Sequence, residues 1–391
     1  MEFTENETIK VLQFVRVLDR GGIESFILNN LAEMDLKLFQ MDFLLTRNQM
    51  EAYDDVVASL GCNKVILEMK YEKVQFIKHL ERFFKLYRFF KKSDYDIVHF
   101  HSVGPYLLSS VSILAAKLGG VPCRIVHSHL SKLDSQIYGM QKLKRFVGCN
   151  LNAKWGTCFL SCSDNAAAYA FPKKLINDNK VIHIKNAVNF SEFYYDEQVR
   201  KIWRLKLGLD DKYVLGCVAR FARFKNHKFM VQVLEAVLKK KENVVLFLVG
   251  GEIANEPNVK KELEDYIKDR GLEKQVIFYG EADNVMELIN AMDVFLMPSF
   301  YEGYPIAGIE AQCTGVQILA SDHITESLKV TDNCHFLSIK DSIENWANAV
   351  IECNQGYERK DMQQCVREKG YDVKDTAMQL QDLYIKMVER I

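Results

Sequence analysis

Ser299-Phe300-Tyr301-Glu302-Gly303-Tyr304-Pro305-Ile306-Ala307-Gly308-Ile309-Glu310-Ala311 places two carboxylates eight positions apart, with a glycine directly after the first. The residues before it, Ala291 to Pro298, read as a helix end, a short apolar strand and a turn. Glu302 therefore falls where a strand stops. In an open α/β sheet the carboxyl ends of the strands face the ligand crevice, and the loop there leads into a helix whose free N–H groups attract phosphate. Glu310 is expected about two turns into that helix, pointing with Glu302 toward one bound molecule.

The same strand-then-helix pattern extends in both directions. Val11–Val15 is an apolar run that ends at Asp19-Arg20-Gly21-Gly22, and a helical pattern from Ile23 to Met34 follows. Met41–Leu45, Val65–Leu67, Ile97–Phe100, Arg124–His127, Cys158–Ser161 and Val181–Ile184 continue a first series of strands. Tyr213–Val218, Val244–Val249, Val276–Tyr279, Val294–Met297 and Gln317–Ala320 form a second. Short apolar runs alternating with longer helical patterns predict parallel sheets covered on both faces. Two series predict two Rossmann-like domains, residues 1–190 and 191–371, joined within Asn189–Leu209. The last helical stretch, within residues 372–391, is expected to cross back to the first domain.

Composition narrows the function. A chain of 391 residues exceeds what one core usually organises, and a formal net charge of −1 gives no global reason to bind nucleic acid. Met1–Lys10 lacks the cationic start and apolar core of a signal peptide, so a cytoplasmic protein is expected. No apolar run reaches the roughly 18–20 residues needed to span a bilayer; Val103–Val121 comes closest but contains Pro105, glycines and Lys117. The ten cysteines are scattered, and Cys158 and Cys162 miss the spacing of common zinc and redox motifs, so reduced core thiols are expected.

Neither first strand is followed by G-x-G-x-x-G, which removes the main support for a nicotinamide or flavin enzyme. Gly21 and Gly22 can form a tight turn that brings backbone N–H groups near an anion or an acceptor sugar, or can simply open the first helix. After the first strand of the second series stand Arg220 and Lys225. A planar guanidinium and a movable ammonium at a strand end can converge on a diphosphate and stabilise its leaving charge. Arg223, between them, reads as an ordinary surface charge. His99, His101, His127 and His129 stand at two strand ends, with each pair on one side of its strand, and are expected to face the crevice.

Taken together, Pro298-Ser299, Glu302-Gly303-Tyr304-Pro305, Glu310-Ala311 and the E-x7-E spacing resemble the retaining nucleotide-sugar glycosyltransferases of family 4 (glycosyl transferases group 1). Arg124 to His129 and Ser321 to Glu326 resemble its bacterial capsular and exopolysaccharide branch. The resemblance covers essentially the whole chain, most specifically Leu215–Glu326. Leu160–Ser163 resembles the family's strand ending in serine. Ile184–Asn189 resembles its Asn-Gly-Val-Asp turn, departing at Ala187, where the family has glycine, and at Asn189.

The resemblance implies a GT-B fold, two Rossmann-like parallel-sheet domains facing a cleft, the first for the acceptor and the second for the donor. It implies a donor probed by Arg220, Lys225, Gly250, Gly280, Glu302, Gly303, Tyr304, Pro305, Ile306 and Glu310. Of these, Glu310 would hold the ribose hydroxyls, Glu302 would contact the donor sugar, and the backbone after Gly303 would help bind the diphosphate. The catalytic set is Glu302, His129, Arg220 and Lys225. On the acceptor side stand Gly21, Gly22, His101 and His129, with His101 and His127 as supports of His129. No cofactor is implied. Transferases of the other large fold class hold a divalent ion on Asp-x-Asp, but Asp94-Tyr95-Asp96 directly precedes a strand and reads as its opening, so metal-independent catalysis is expected. The donor would be a UDP-sugar and the acceptor a saccharide or a lipid-linked saccharide, with retention of configuration and the leaving phosphate assisting deprotonation. Two alternatives remain open at this point: a non-catalytic sugar-nucleotide-binding partner subunit, and a same-fold sugar-nucleotide 2-epimerase.

Lys70–Lys92 carries eight Lys or Arg against two Glu, interleaved with Phe76, Phe83, Phe84, Tyr87, Phe89 and Phe90 among its aromatics. Ile77, Leu80, Phe84 and Tyr87 follow helical spacing and are expected to pack on the sheet. The other aromatics and cations can rest on an anionic bilayer, which would make the protein peripheral on the inner membrane face.

Overall fold

The computed structural model describes residues 8–18, 21–47, 52–69, 75–101, 107–129, 139–253, 256–302, 305–353 and 355–390. The chain divides into two compact units, Met1–Ala187 with Val373–Ile391, and Val188–Asp372.

The first unit holds a parallel sheet in the order β3-β2-β1-β4-β5-β6-β7. Its strands are β1 (Ile9–Phe14), β2 (Phe39–Leu45), β3 (Asn63–Ile66), β4 (Ile97–Phe100), β5 (Cys123–Ser128), β6 (Cys158–Ser161) and β7 (Val181–His183). Period-two alternation sends Val11 to one face and Leu12 and Phe14 to the other, and both faces are covered, which is why the strands read as nearly continuous apolar runs. Helix Gly22–Glu33 and the C-terminal helix Val373–Val388 cover the Val11 face, the latter burying Ala377, Leu380 and Tyr384. Helices Gln75–Phe90 and Leu107–Gly119 cover the opposite face through Leu86, Phe90, Ile113, Ala115 and Ala116.

The second unit repeats the plan with β8 (Tyr213–Val218), β9 (Val244–Val249), β10 (Val276–Gly280), β11 (Val294–Met297), β12 (Gln317–Ser321) and β13 (Cys334–Leu337) in the parallel order β10-β9-β8-β11-β12-β13. Trp346, fully buried, packs edge-on to Phe229 and ties two helices to one face. Where the strands begin, Asp293 accepts from Arg200 (2.5 Å), Arg204 (3.2 Å) and the backbone N–H of Val214 (2.7 Å), which pins helix Glu197–Leu207 to β8.

Three expectations are corrected. β13 escapes the strand reading because Cys334-His335-Phe336-Leu337 is short and carries a histidine, yet it pairs along β12. In helix Gln75–Phe90 the buried stripe is rotated: Leu86 and Phe90 are buried and Phe83 and Tyr87 half-buried, while Leu80 and Phe84 are 42% and 51% exposed. Its partner is helix Leu107–Gly119 as well as the sheet, and that second contact shifts the buried face by about one residue's rotation, roughly 100°. Residues 70–74 lie outside the described residues. Finally, Glu310 is the fifth residue of helix Ile306–Cys313, little more than one turn in.

All ten cysteines are free thiols: seven are buried, Cys158 and Cys353 are half-buried, and Cys365 is exposed. Asp96 accepts from the Lys10 backbone N–H at 2.8 Å and Asp94 pairs with the Lys10 side chain, so this segment does open β4. Among the described residues, no helix is long and apolar enough to cross a membrane.

Candidate active site

In each sheet the strand order reverses once, between β1 and β4 in the first unit and between β8 and β11 in the second. Loops that leave the carboxyl ends of such neighbours diverge to opposite faces and open a crevice. Arg220, Lys225 and Glu302 follow the strands of the second of these points, and Gly21, Gly22 and His101 those of the first.

In the second unit β8 ends at Val218, and the chain continues through an exposed Arg220 into the short 3-10 turn Arg223–Lys225. Asn226 follows in the left-handed conformation, with φ 59°, and donates to the Pro298 carbonyl at 3.1 Å. This bond ties the β8 loop to the β11 loop, as does the Phe300 N–H on the Phe224 carbonyl at 2.8 Å. Phe224 stacks on Tyr301 at 5.0 Å. The two loops are thereby aligned so that Lys225 Nζ meets Glu302 Oε1 at 2.6 Å, and the Ser299 hydroxyl donates to the same oxygen at 2.7 Å. The pair is largely shielded, the side chains being 19% and 7% exposed. Arg223 instead forms a forked pair with Glu262 on the surface, at 2.9 and 2.7 Å. Among the described residues Arg220 has no carboxylate partner, so its charge stands ready for an anion.

Behind Glu302, Pro305 caps helix Ile306–Cys313 in extended conformation. Gly303 and Tyr304 lie outside the described residues. Glu310, half-buried in this helix, has its carboxyl pushed up to about 8 by burial first and by the nearby Glu192 second. Gly250 and Gly280 end β9 and β10, and the Gly250 N–H donates to the Gly280 carbonyl at 2.8 Å. With φ at 145°, Gly250 brings its Cα so close to β8 that an added Cβ would lie 2.1 Å from the Ala219 carbonyl oxygen. Only glycine fits there. His227, missed by the sequence reading, is buried against Phe221 at 4.8 Å; burial, helped by Lys225, pushes it down to about 3.

In the first unit His99 and His101 on β4 and its end, and His127 and His129 on β5 and its end, do lie on one side of their strands. Their rings form a two-by-two array: neighbours along a strand are 4.0 and 3.9 Å apart, and hydrogen bonds of 3.1 Å join His99 to His127 and His101 to His129. The expected open placement is corrected: all four are buried beneath Phe26 and Tyr384 of the same unit. Sequence alternation reveals the shared face but not the two helices that cover it. Gln13 on β1, directly opposite His99 in the sheet, and Tyr384 complete the cluster and were both missed; the one signal was a glutamine inside the apolar run Val11–Val15. Burial holds His99, His101 and His127 well below the ordinary imidazole range, and His129 at about 3 despite the opposing effect of Asn186. Nitrogens of His99, His101 and His127 come within 4.8 Å of one another, a spacing that could hold a metal ion, but here they are joined to each other and to Gln13 and Tyr384. Gly21 caps the first helix with φ −170°, ordinary extended backbone that any residue adopts. Ala187 has no positive φ, so its departure from glycine costs the following turn nothing.

Two parallel-sheet α/β domains, with cationic and acidic groups at a switch point and glycine-lined strand ends beside them, define the GT-B class. HepE of Anabaena, solved with UDP-glucose, has this fold at a TM-score of 0.71 and 16% identity, with 98% of each chain covered. Residues 199–370 match the family model of glycosyl transferases group 1. EpsF of Bacillus subtilis is 27% identical, with 96% of each chain covered. The UDP-Gal:alpha-D-GlcNAc-diphosphoundecaprenol alpha-1,3-galactosyltransferase of Escherichia coli is 26% identical over 81% of each. The capsular polysaccharide biosynthesis glycosyltransferase CapH of Staphylococcus aureus is 25% identical over 96% of this chain and 99% of its own. The chain is a glycosyltransferase whose residues 199–370 match the group 1 family, and the relatives it resembles include a glycosyltransferase of capsular polysaccharide biosynthesis.

Proposed function

We propose that this glycosyltransferase moves a sugar from a UDP donor to a saccharide or lipid-linked saccharide, with retention of configuration and without a metal ion. The observation that carries the reading is the Lys225–Glu302 pair at 2.6 Å on the loops after β8 and β11, together with the exposed Arg220, which has no carboxylate partner among the described residues. Arg220 supplies a planar fork to the diphosphate, and Lys225, oriented by Glu302, supplies a second charge where the leaving group becomes more negative. The N-terminus of helix Ile306–Cys313 adds backbone N–H donors from the same side. Glu310 takes the ribose hydroxyls, and Gly250 and Gly280 leave room for the nucleoside. The first unit takes the acceptor. With a pKa of about 3, His129 stays neutral and is too weak a base to keep a proton, so it orients a hydroxyl as a hydrogen-bond partner. The acceptor proton then leaves with the departing phosphate. The names of the relatives, one with a UDP-linked donor and a diphosphoundecaprenol-linked acceptor, support the substrate classes.

Contact with an anionic membrane surface belongs to the same proposal. Arg82 and Lys85 are engaged within the unit, the first with Ser112 at 2.7 Å and the second with Glu81 at 2.7 Å, but Arg88, Lys91 and Lys92 are exposed near Leu80 and Phe84. The protein would then work at the cytoplasmic face.

Saturation-transfer NMR against a panel of nucleotide sugars, with EDTA present, tests the reading. Binding of one UDP-sugar that survives EDTA and disappears in Arg220→Ala is the expected result. Binding only with added metal, or unchanged binding in the variant, overturns it.

A further inference from the structure

The two hydrogen-bond arms that leave Gln13 determine where each histidine carries its proton. The Gln13 carbonyl oxygen faces His101 Nε2 at 2.8 Å, and its amide nitrogen faces the Tyr384 hydroxyl at 3.2 Å and the Met41 sulfur at 3.8 Å. An amide oxygen only accepts, so His101 Nε2 donates. A neutral imidazole has one proton, which leaves a lone pair at His101 Nδ1; His129 Nε2, at 3.1 Å, must donate to it. His129 is left with its lone pair on Nδ1.

The second arm follows by the same step. The Gln13 amide N–H donates to Tyr384, whose own proton goes to His99 Nδ1 at 2.7 Å. His99 then carries its proton on Nε2 and gives it to His127 Nδ1 at 3.1 Å. His127 is protonated on Nε2, which is buried with no hydrogen-bond partner among the described residues; its ring stands perpendicular to that of Phe26, with centroids 5.2 Å apart. All four rings share one tautomer. Rotating the Gln13 amide by half a turn would reverse each bond in succession and move all four protons to Nδ1, so one side chain orients the whole array.

We propose that Gln13 and Tyr384 are positioning residues for His129: through His101 they hold its proton on Nε2 and keep Nδ1, which is buried near Asn186 in this structure, as the acceptor atom that a sugar hydroxyl would have to reach. The proposal rests on the reading of His129 as an acceptor-side residue. Tyr384 gives the C-terminal helix a task beyond packing, because its hydroxyl takes the Gln13 N–H and so fixes which way the amide points. A tyrosine that only filled space would be replaced by phenylalanine without consequence for the protons on His101 and His129.

Long-range proton–nitrogen NMR of the full chain, with 15N in the histidine rings, reads each tautomer without any substrate. The expected spectrum has all four rings protonated on Nε2. Tyr384→Phe removes one oxygen from the buried cluster; His129 should then become a mixture of the two tautomers while the chain stays folded by circular dichroism. Gln13→Leu, the second variant, should release His129 in the same way and uncouple it from His99. Protons on Nδ1 in the unaltered protein overturn the proposal, as does an unchanged His129 signal in both folded variants. His129→Ala with undiminished sugar transfer would instead remove the acceptor-side reading and leave the tautomer assignment standing.

Discussion

Lys225 and Glu302 come from loops 77 positions apart, and their pairing is a property of the fold. Each residue was legible as a candidate, since a cation and a carboxylate at strand ends have an evident use. Their mutual contact was not, because it depends on Asn226 and Phe300 joining the two loops. If the pair presets Lys225 for the leaving diphosphate, Glu302→Gln and Arg220→Ala should each lower kcat by about 10²–10³, the usual loss for one preorganised electrostatic contact. Full transfer in either folded variant would remove the mechanism. Stability gives an independent reading of the pair. Lys225→Met removes the cation that compensates a shielded carboxylate and should cost about 2 kcal/mol, whereas Lys225→Met with Glu302→Leu should recover part of it in urea titrations.

Glu310 carries a second prediction at this scale. Its folded pKa of about 8 lies above that of an unfolded glutamate, so the folded state keeps a proton that the unfolded state loses. Stability from this group is therefore complete below about pH 4.5 and declines as pH rises toward about 8. Glu310→Gln should flatten that part of the pH–stability curve, and an unchanged slope in urea midpoints would show that the carboxyl is ionised in the folded protein.

The strands were the most legible elements, because a parallel strand covered on both faces leaves an apolar run that no other structure needs. The helices were less so. In Gln75–Phe90 aromatics occupy several faces, and the sequence cannot say which of them meets the neighbouring helix. Strand ends lie between these cases: the glycines after β9 and β10 were readable as small residues, while the reason Gly250 must be glycine is the Ala219 carbonyl of the adjacent strand. Gly250→Ala should thus force β8 and β9 apart at their ends, costing about 1–3 kcal/mol through a backbone conformation that alanine resists. UDP-sugar binding should fall more than stability predicts, since the same backbone borders the nucleoside. Loss of stability with wild-type affinity would separate Gly250 from the donor site.

Across the whole molecule the titrating groups are divided unevenly between the units. Four buried histidines, all with depressed pKa values, belong to the first unit; the second has one buried, His227 at about 3, and the more exposed His335, also lowered by partial burial. A histidine whose folded pKa is lowered stays neutral in the folded state, while the unfolded chain takes up a proton below about pH 6.5. Its stabilising contribution is complete above that pH and is lost as pH falls toward the folded value. One unit below 6.5 the loss is about 1.4 kcal/mol for each such histidine, so the first unit should weaken several times more than the second. The C-terminal helix must share this fate, because Tyr384 is bonded to His99 and buried in the same core, although Val373–Ile391 follows the second unit in sequence. Hydrogen exchange at pH 5.5 and 7.5 separates the alternatives. Protection should drop on acidification in β1, β4, β5 and helix Val373–Val388 together, and far less in β8–β13; an equal loss in both units would mean that the histidine array is already charged, or already open, at neutral pH.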